Sequence, residues 1–217
     1  MDRRFKITSD KLLAVEGRDE CNFFDEFLKA SGITNVKTVD IGGKDKFKNE
    51  LPSLITIDGF SDITAIGFVR DAEANFAKSA FDSMCSIIKK CGLPIPKGMN
   101  TINQSGNPKT GIFIMPNNQN TGMLENLCLE SLKDKTVNDC IENYVNCFFK
   151  DMEENEKTYF NEPKAKVQTY LASRAPVVNS LGLAAKKGYW NFHHPCFTDI
   201  AKFLSDLFDS VKSYTHL

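Results

Sequence analysis

Apolar positions along this chain follow two periods, and the switches between them mark out its elements. Lys11 to Glu16 is a short, β-rich apolar run bounded by turn residues, the pattern of a buried parallel strand. Phe23, Phe24, Phe27 and Leu28 then recur at helical spacing, with Gly32 as a stop. Val36 to Ile41 predicts a second strand, closed by Gly42 and Gly43. Lys44 to Leu51 predicts a short charged helix with Phe47 and Leu51 inward. Ile63 to Val69 predicts a third strand. Phe76, Ala80, Met84, Ile87 and Ile88 form the stripe of a long helix ending near Cys91.

Leu93 to Thr110 changes character, with Pro94, Pro96, Gly98, Ser105, Gly106 and Pro108. It predicts a loop or hairpin insertion whose Lys97 and Lys109 are free to face a ligand. Gly111 to Pro116 is a compact fourth strand. Helical patterns follow over Met123–Leu132, Val137–Met152, Lys164–Ser173 and Phe197–Val211. Strands alternating with helices over short connections predict an α/β fold. We expect a three-layer, Rossmann-like open sheet of about four parallel strands with helices on both faces. The α/β core spans residues 1–133, and a helical extension over 134–217 packs on it.

Composition changes this picture little. A chain of 217 residues can bury a substantial core unaided. A net charge of −1 gives no overall positive field, so nucleic-acid binding would need a local basic patch or a metal. The amino terminus is charged and leads into no apolar segment of a signal peptide, and no run approaches the ~18 apolar residues of a membrane span. The seven cysteines include no CxxC pair; Cys21, Cys85, Cys128, Cys140 and Cys147 fall in helical patterns and read as buried, reduced thiols. The expected location is the cytoplasm.

The chemistry lies in two acidic clusters, each at the end of an apolar run. Glu16 and Glu20 follow the first strand, and Asp71 and Glu73 follow the third. Open α/β sheets place ligands at the carboxyl ends of their strands. Carboxylates converging there repel one another unless a cation sits between them, and Mg²⁺ takes carboxylate and phosphate oxygens. Glu20 falls in the first helical turn, where the dipole favours an acid that could curl back toward the strand end. Asp71 and Glu73, two apart, would share a face of an extended segment. A helix cap or a solvated loop acid is the plainer reading of each. Gly42-Gly43-Lys44 could present N–H groups and an ammonium to phosphate, or be a tight turn. His193-His194 reads as a turn packed on the core.

With these residues in view, the chain resembles the Toprim superfamily, whose pattern is a strand-terminal Glu followed by Asp-x-Asp at a later strand end. Glu16 in Val-Glu-Gly matches the first element, and Asp71-Ala72-Glu73 the second, with Glu in place of the last Asp. Glu20 and Glu125 resemble the additional acids of OLD-type (overcoming lysogenization defect) nucleases. The likeness is nearest to small uncharacterised bacterial and archaeal Toprim-like proteins, and covers about Lys11 to Phe208.

That resemblance implies a Toprim fold and a Mg²⁺- or Mn²⁺-dependent nuclease or related phosphoryl-transfer protein acting on DNA or RNA. Glu16, Glu20, Asp71, Glu73 and Glu125 would be its metal ligands, and Glu16, Asp71 and Lys164 its catalytic residues. Lys164 or Lys166 would be the cation near the metal. No Gly-x-x-x-x-Gly-Lys-Ser/Thr loop is present, so an ATPase would be a separate partner, as in phage-defence or mobile-element systems. The alternative is a Toprim-fold binding module that no longer cuts. A small-molecule phosphatase ranks below both, because the first strand ends in Glu rather than Asp-x-Asp.

Overall fold

The computed structural model describes residues 6–209. The chain runs through β1 (Lys11–Val15), α1 (Arg18–Ala30), β2 (Lys37–Asp40), α2 (Phe47–Leu54), β3 (Ala65–Asp71), α3 (Ala77–Lys90), β4 (Ile102–Asn103) and β5 (Lys109–Met115). It then turns helical, through α4 (Leu124–Glu130), α5 (Thr136–Asp151), α6 (Glu154–Lys157), α7 (Glu162–Ala172), α8 (Leu181–Lys186) and α9 (Thr198–Phe208). β1, β2, β3 and β5 pair in parallel, in the sheet order β2-β1-β3-β5-β4. The α/β reading holds. The fifth strand comes from the 93–110 segment, which forms a hairpin with Ile102 opposite Gly111 and Asn103 opposite Thr110. Two residues are too few to leave a periodic signal.

Both faces of the sheet are covered, which is why its strands read as continuous apolar runs. Leu13, Val15, Val69, Phe113 and Met115 point to one side, into a core shared with α1, α4, α7, α8 and α9. Leu12, Ala14, Ile66, Phe68, Ile112 and Ile114 point to the other, against α2 and α3. Each fully buried Leu, Val, Ile, Phe or Met among them stabilises the fold by about 1.5–3 kcal/mol, so the rigid frame of the strand ends is set by these two layers.

Several expectations change. Phe76 is 76% exposed, because α3 starts one residue later and Phe76 is its extended N-cap; Ala80, Met84 and Ile88 carry the buried stripe. Cys140 and Cys147 are exposed on α5 rather than buried. Lys109 opens β5 at the amino edge of the sheet, the end away from the acids. The last helix ends at Phe208, and Val211 lies outside the described residues, as does the charged segment 1–5. No described helix is long and apolar enough to cross a membrane.

Candidate functional site

β1 and β3 are sheet neighbours with Ala14 opposite Phe68, so both run out at the same edge. Glu16 follows β1 directly. Asp71 is the last residue of β3, which continues two residues beyond its apolar run. The Asp71 backbone N–H donates to Glu16 Oε1 at 3.0 Å, and the Leu124 backbone N–H donates to Asp71 Oδ1 at 3.1 Å. The first acid therefore braces the second, and the second holds the start of α4, which carries Glu125.

Glu20 folds back over this edge. A Cβ at Gly17 would stand 3.0 Å from Glu20 Oε2, so the absent side chain is what leaves room for the carboxylate. Glu73 departs from the period-two expectation. Its φ of 56° is left-handed, which ends the extended segment and turns the chain. Reciprocal backbone hydrogen bonds with Gly122, both 2.7 Å, lock that turn, and the Glu73 carboxylate pairs with Lys44.

Gly42 and Gly43 end β2 beside Glu16, but their N–H groups are taken. Gly42 donates to Asp40 Oδ1 at 2.7 Å and Gly43 to the Glu16 carbonyl at 2.6 Å. The Lys44 ammonium is what this turn contributes to the edge. Lys164 lies in the first turn of α7, where Asn161 Oδ1 accepts its backbone N–H at 3.1 Å. Its charge acts on Glu20 and Glu125. Lys166 is instead committed to Glu142 and Glu162, at 2.7 and 2.6 Å. His194 caps the turn at Pro195, its Nδ1 accepting the Cys196 N–H at 3.2 Å.

Residues 10–209 match the family described as "Protein of unknown function (DUF3226)". The chain belongs to the DUF3226 family. That match takes in every acid described above and Lys164. No curated protein matches the chain. Among solved structures, the C-terminal region of the OLD protein of Xanthomonas campestris pv. campestris is similar at 13% identity and a TM-score of 0.39, covering 93% of this chain and 87% of that one.

The electrostatics of this DUF3226 edge are those of acids pressed together. Withdrawal from water is the main cause that raises Glu16, Glu20, Asp71 and Glu125 above the usual carboxylate range. Asp71 is raised furthest, with Glu16, Glu125 and Glu20 adding their repulsion and the Leu124 N–H opposing it. Around Glu16, the Asp71 N–H and Arg70 pull down while Glu20 and Glu73 push up. Lys164 lowers both Glu20 and Glu125.

Two residues escaped the sequence reading. The Asp19 carboxylate accepts the N–H groups of Leu181 and Gly182, both at 2.9 Å, and so caps α8 from α1. Nothing in the sequence links positions that far apart. Arg70, next to Asp71, reaches Glu16 with its charge; its adjacency was the available signal.

Among the described residues, no three His, Cys, Asp or Glu side chains are gathered closely enough to hold a metal ion as they stand. The hydrogen bond to Leu124 and the ion pair to Lys44 draw Asp71 and Glu73 to other partners. The donor chemistry still suits a hard divalent cation, since the side chains that crowd this edge are carboxylates. Burial is the larger cause of the Asp71 shift, and the repulsion from Glu16, Glu125 and Glu20 that adds to it is what such a cation would relieve.

Proposed function

We propose that this chain is a metal-dependent phosphodiesterase acting on nucleic acid, of the Toprim, OLD-type nuclease kind. One observation carries the reading: Asp71 is buried at the strand edge among Glu16, Glu125 and Glu20, and its burial, with their charges adding to it, raises it well above its ordinary range. A fold gains nothing from such crowding, and perturbed acids of this kind collect where chemistry is done. The order of the acids along the chain, with Glu16 ending one strand and Asp71-Ala72-Glu73 ending another, supports it independently.

Glu16, Asp71 and Glu73 would hold Mg²⁺ or Mn²⁺, with Glu20 and Glu125 in support. The bound ion would supply an activated water and charge neutralisation at phosphate. The rest is done by the chain. The Asp71 and Leu124 N–H groups fix the Glu16 and Asp71 carboxylates before any ligand arrives. Lys164, whose charge acts on Glu20 and Glu125, would meet negative charge that builds on a phosphate oxygen. Lys44 holds Glu73 and can pass from it to a phosphate. A separate ATPase is the partner this reading would call on if the reaction needs ATP.

The Lys44–Glu73 ion pair favours a second reading, in which the edge binds nucleic acid without cutting it. A cleavage assay with Mg²⁺ and Mn²⁺ on plasmid, single-stranded DNA and structured RNA separates the two. Metal-dependent cutting that Glu16→Gln and Asp71→Asn abolish supports the nuclease. Binding without cutting under both metals supports the module.

A further inference from the structure

A second feature lies across the sheet from the acids. Side chains alternate along β3, so Arg70 projects to the face opposite Asp71, toward α2 and α3. There it lines a cavity of about 360 Å³ with Lys44, Lys48, Lys90, Ser83 and Ser86. The only acid in the lining is Asp45. Ser83, Ser86 and Lys90 recur along one face of α3 at helical spacing, so the walls are regular elements rather than loose loops.

Three of the four cations of this pocket have no ion-pair partner among the described residues. Arg70 donates from Nη1 to Ser83 Oγ at 3.3 Å, and its Nε is buried with no hydrogen-bond partner. Among the described residues Arg70, Lys48 and Lys90 form no ion pair, and Lys44 pairs with Glu73. In a protein of net charge −1, four cations around one small cavity are a local concentration of positive charge. A planar guanidinium fork, flexible ammonium groups and two hydroxyls are the donor set that suits a phosphate. Lys44 joins the pocket to the acid edge, because it lines the one and pairs with Glu73 of the other.

We propose that the pocket formed by Arg70, Lys44, Lys48, Lys90, Ser83 and Ser86 is a phosphate-binding subsite. Its ligand is a phosphate of a polynucleotide lying over the sheet edge, or a phosphate carried by a small molecule. The subsite does not depend on the proposed hydrolysis.

The test is metal-free binding of a fluorescein-labelled DNA single strand of about 15 nucleotides, followed by anisotropy across a salt series. The exposed pair Lys48→Glu/Lys90→Glu alters the pocket without touching the core. Lys89→Glu/Lys187→Glu makes the same charge change elsewhere on the surface. Arg70→Lys keeps the charge and removes the fork. We expect the pocket pair to weaken binding about tenfold or more and to flatten the salt slope by about one unit, with the surface pair close to wild type. Arg70→Lys should weaken binding with an unchanged melting temperature. If the wild type ignores DNA but inorganic pyrophosphate raises its melting temperature and not that of the pocket pair, the small-molecule source is supported. Equal losses in both charge pairs, or no loss in either ligand, overturn the subsite. Pocket-dependent binding by a protein that never cuts would sink the nuclease reading and leave the subsite standing.

Discussion

Glu16 accepts the backbone N–H of Asp71 at 3.0 Å, so the acid that ends one strand is fixed by the main chain of the acid that ends its neighbour. A carboxylate oriented this way cannot turn away from the other charges around it. The edge stores repulsion that a cation would release, and its stability should respond to anything that changes the charge of either residue.

Glu16→Gln and Asp71→Asn each keep an oxygen to accept the existing hydrogen bond while removing a charge. Without metal both variants should melt higher than wild type by a few degrees, on the order of 1 kcal/mol. Mg²⁺ or Mn²⁺ should raise the melting temperature of the wild type by mass action and leave the variants unmoved. Differential scanning fluorimetry with and without metal decides it, and an unaltered metal response in both variants would remove Glu16 and Asp71 from any shared site.

The same charges set a pH dependence. Glu16, Glu20, Asp71 and Glu125 are raised in the folded state, so the unfolded chain releases its protons first as pH climbs past about 4. Their contribution to stability is complete below the unfolded values, falls as pH rises through the folded ones, and then levels off. Metal-free Asp71→Asn should show a shallower fall over that window than wild type. Parallel melting profiles for the two proteins would contradict this.

Lys164→Ala tests the cation beside the acids. If the protein cuts nucleic acid, the rate should fall on the order of a hundredfold while affinity changes little, as expected for charge that matters most in the transition state. The acid limb of the rate profile should also move up in pH, because Lys164 holds Glu20 and Glu125 down. Lost affinity with an unchanged rate would reassign Lys164 to docking. Lys166→Ala, which removes a residue tied to Glu142 and Glu162, should leave cutting near wild type.

The Asp19 clamp makes a structural prediction. Asp19→Ala removes the acceptor of two N–H groups at the start of α8 and should cost about 2 kcal/mol, read as a melting temperature lower by about 5 °C. Gly182→Ala should cost a similar amount by another route, since its Cβ would lie 2.5 Å from the Asp19 carbonyl and from Asn22 Cβ. Asp19→Asn, with one oxygen for two donors, should fall between. A melting temperature unchanged in all three would show that α8 is held by packing alone.

Much of this arrangement was legible because its causes are local. An apolar run that ends in Glu16, another that ends before Asp71, and Glu20 one turn into a helix are patterns within a few residues of each other. What escaped depends on distance or on a single dihedral. Asp19 carries no local signal, because its partners lie 162 and 163 residues away. The spacing of Asp71 and Glu73 suggested a shared face until a left-handed φ at Glu73 broke the alternation. Gly42 and Gly43 offered a phosphate cradle whose N–H groups turn out to serve Asp40 and Glu16. Only the resemblance set Lys164 above Lys166 on paper, and the commitment of Lys166 to Glu142 and Glu162 shows only in the structure.

The clamp between Asp19 and α8 also bears on how the molecule is made. Glu16, Glu20 and Asp71 leave the ribosome long before Lys164, and the helices that cover one face of β1, β3 and β5 come last. A nascent chain stalled after β5 carries the acids without that cation and with Val15, Val69 and Phe113 uncovered on one side. The charged edge is assembled from both ends of the described chain, and Lys164 joins it only when the helices after β5 have packed on the sheet.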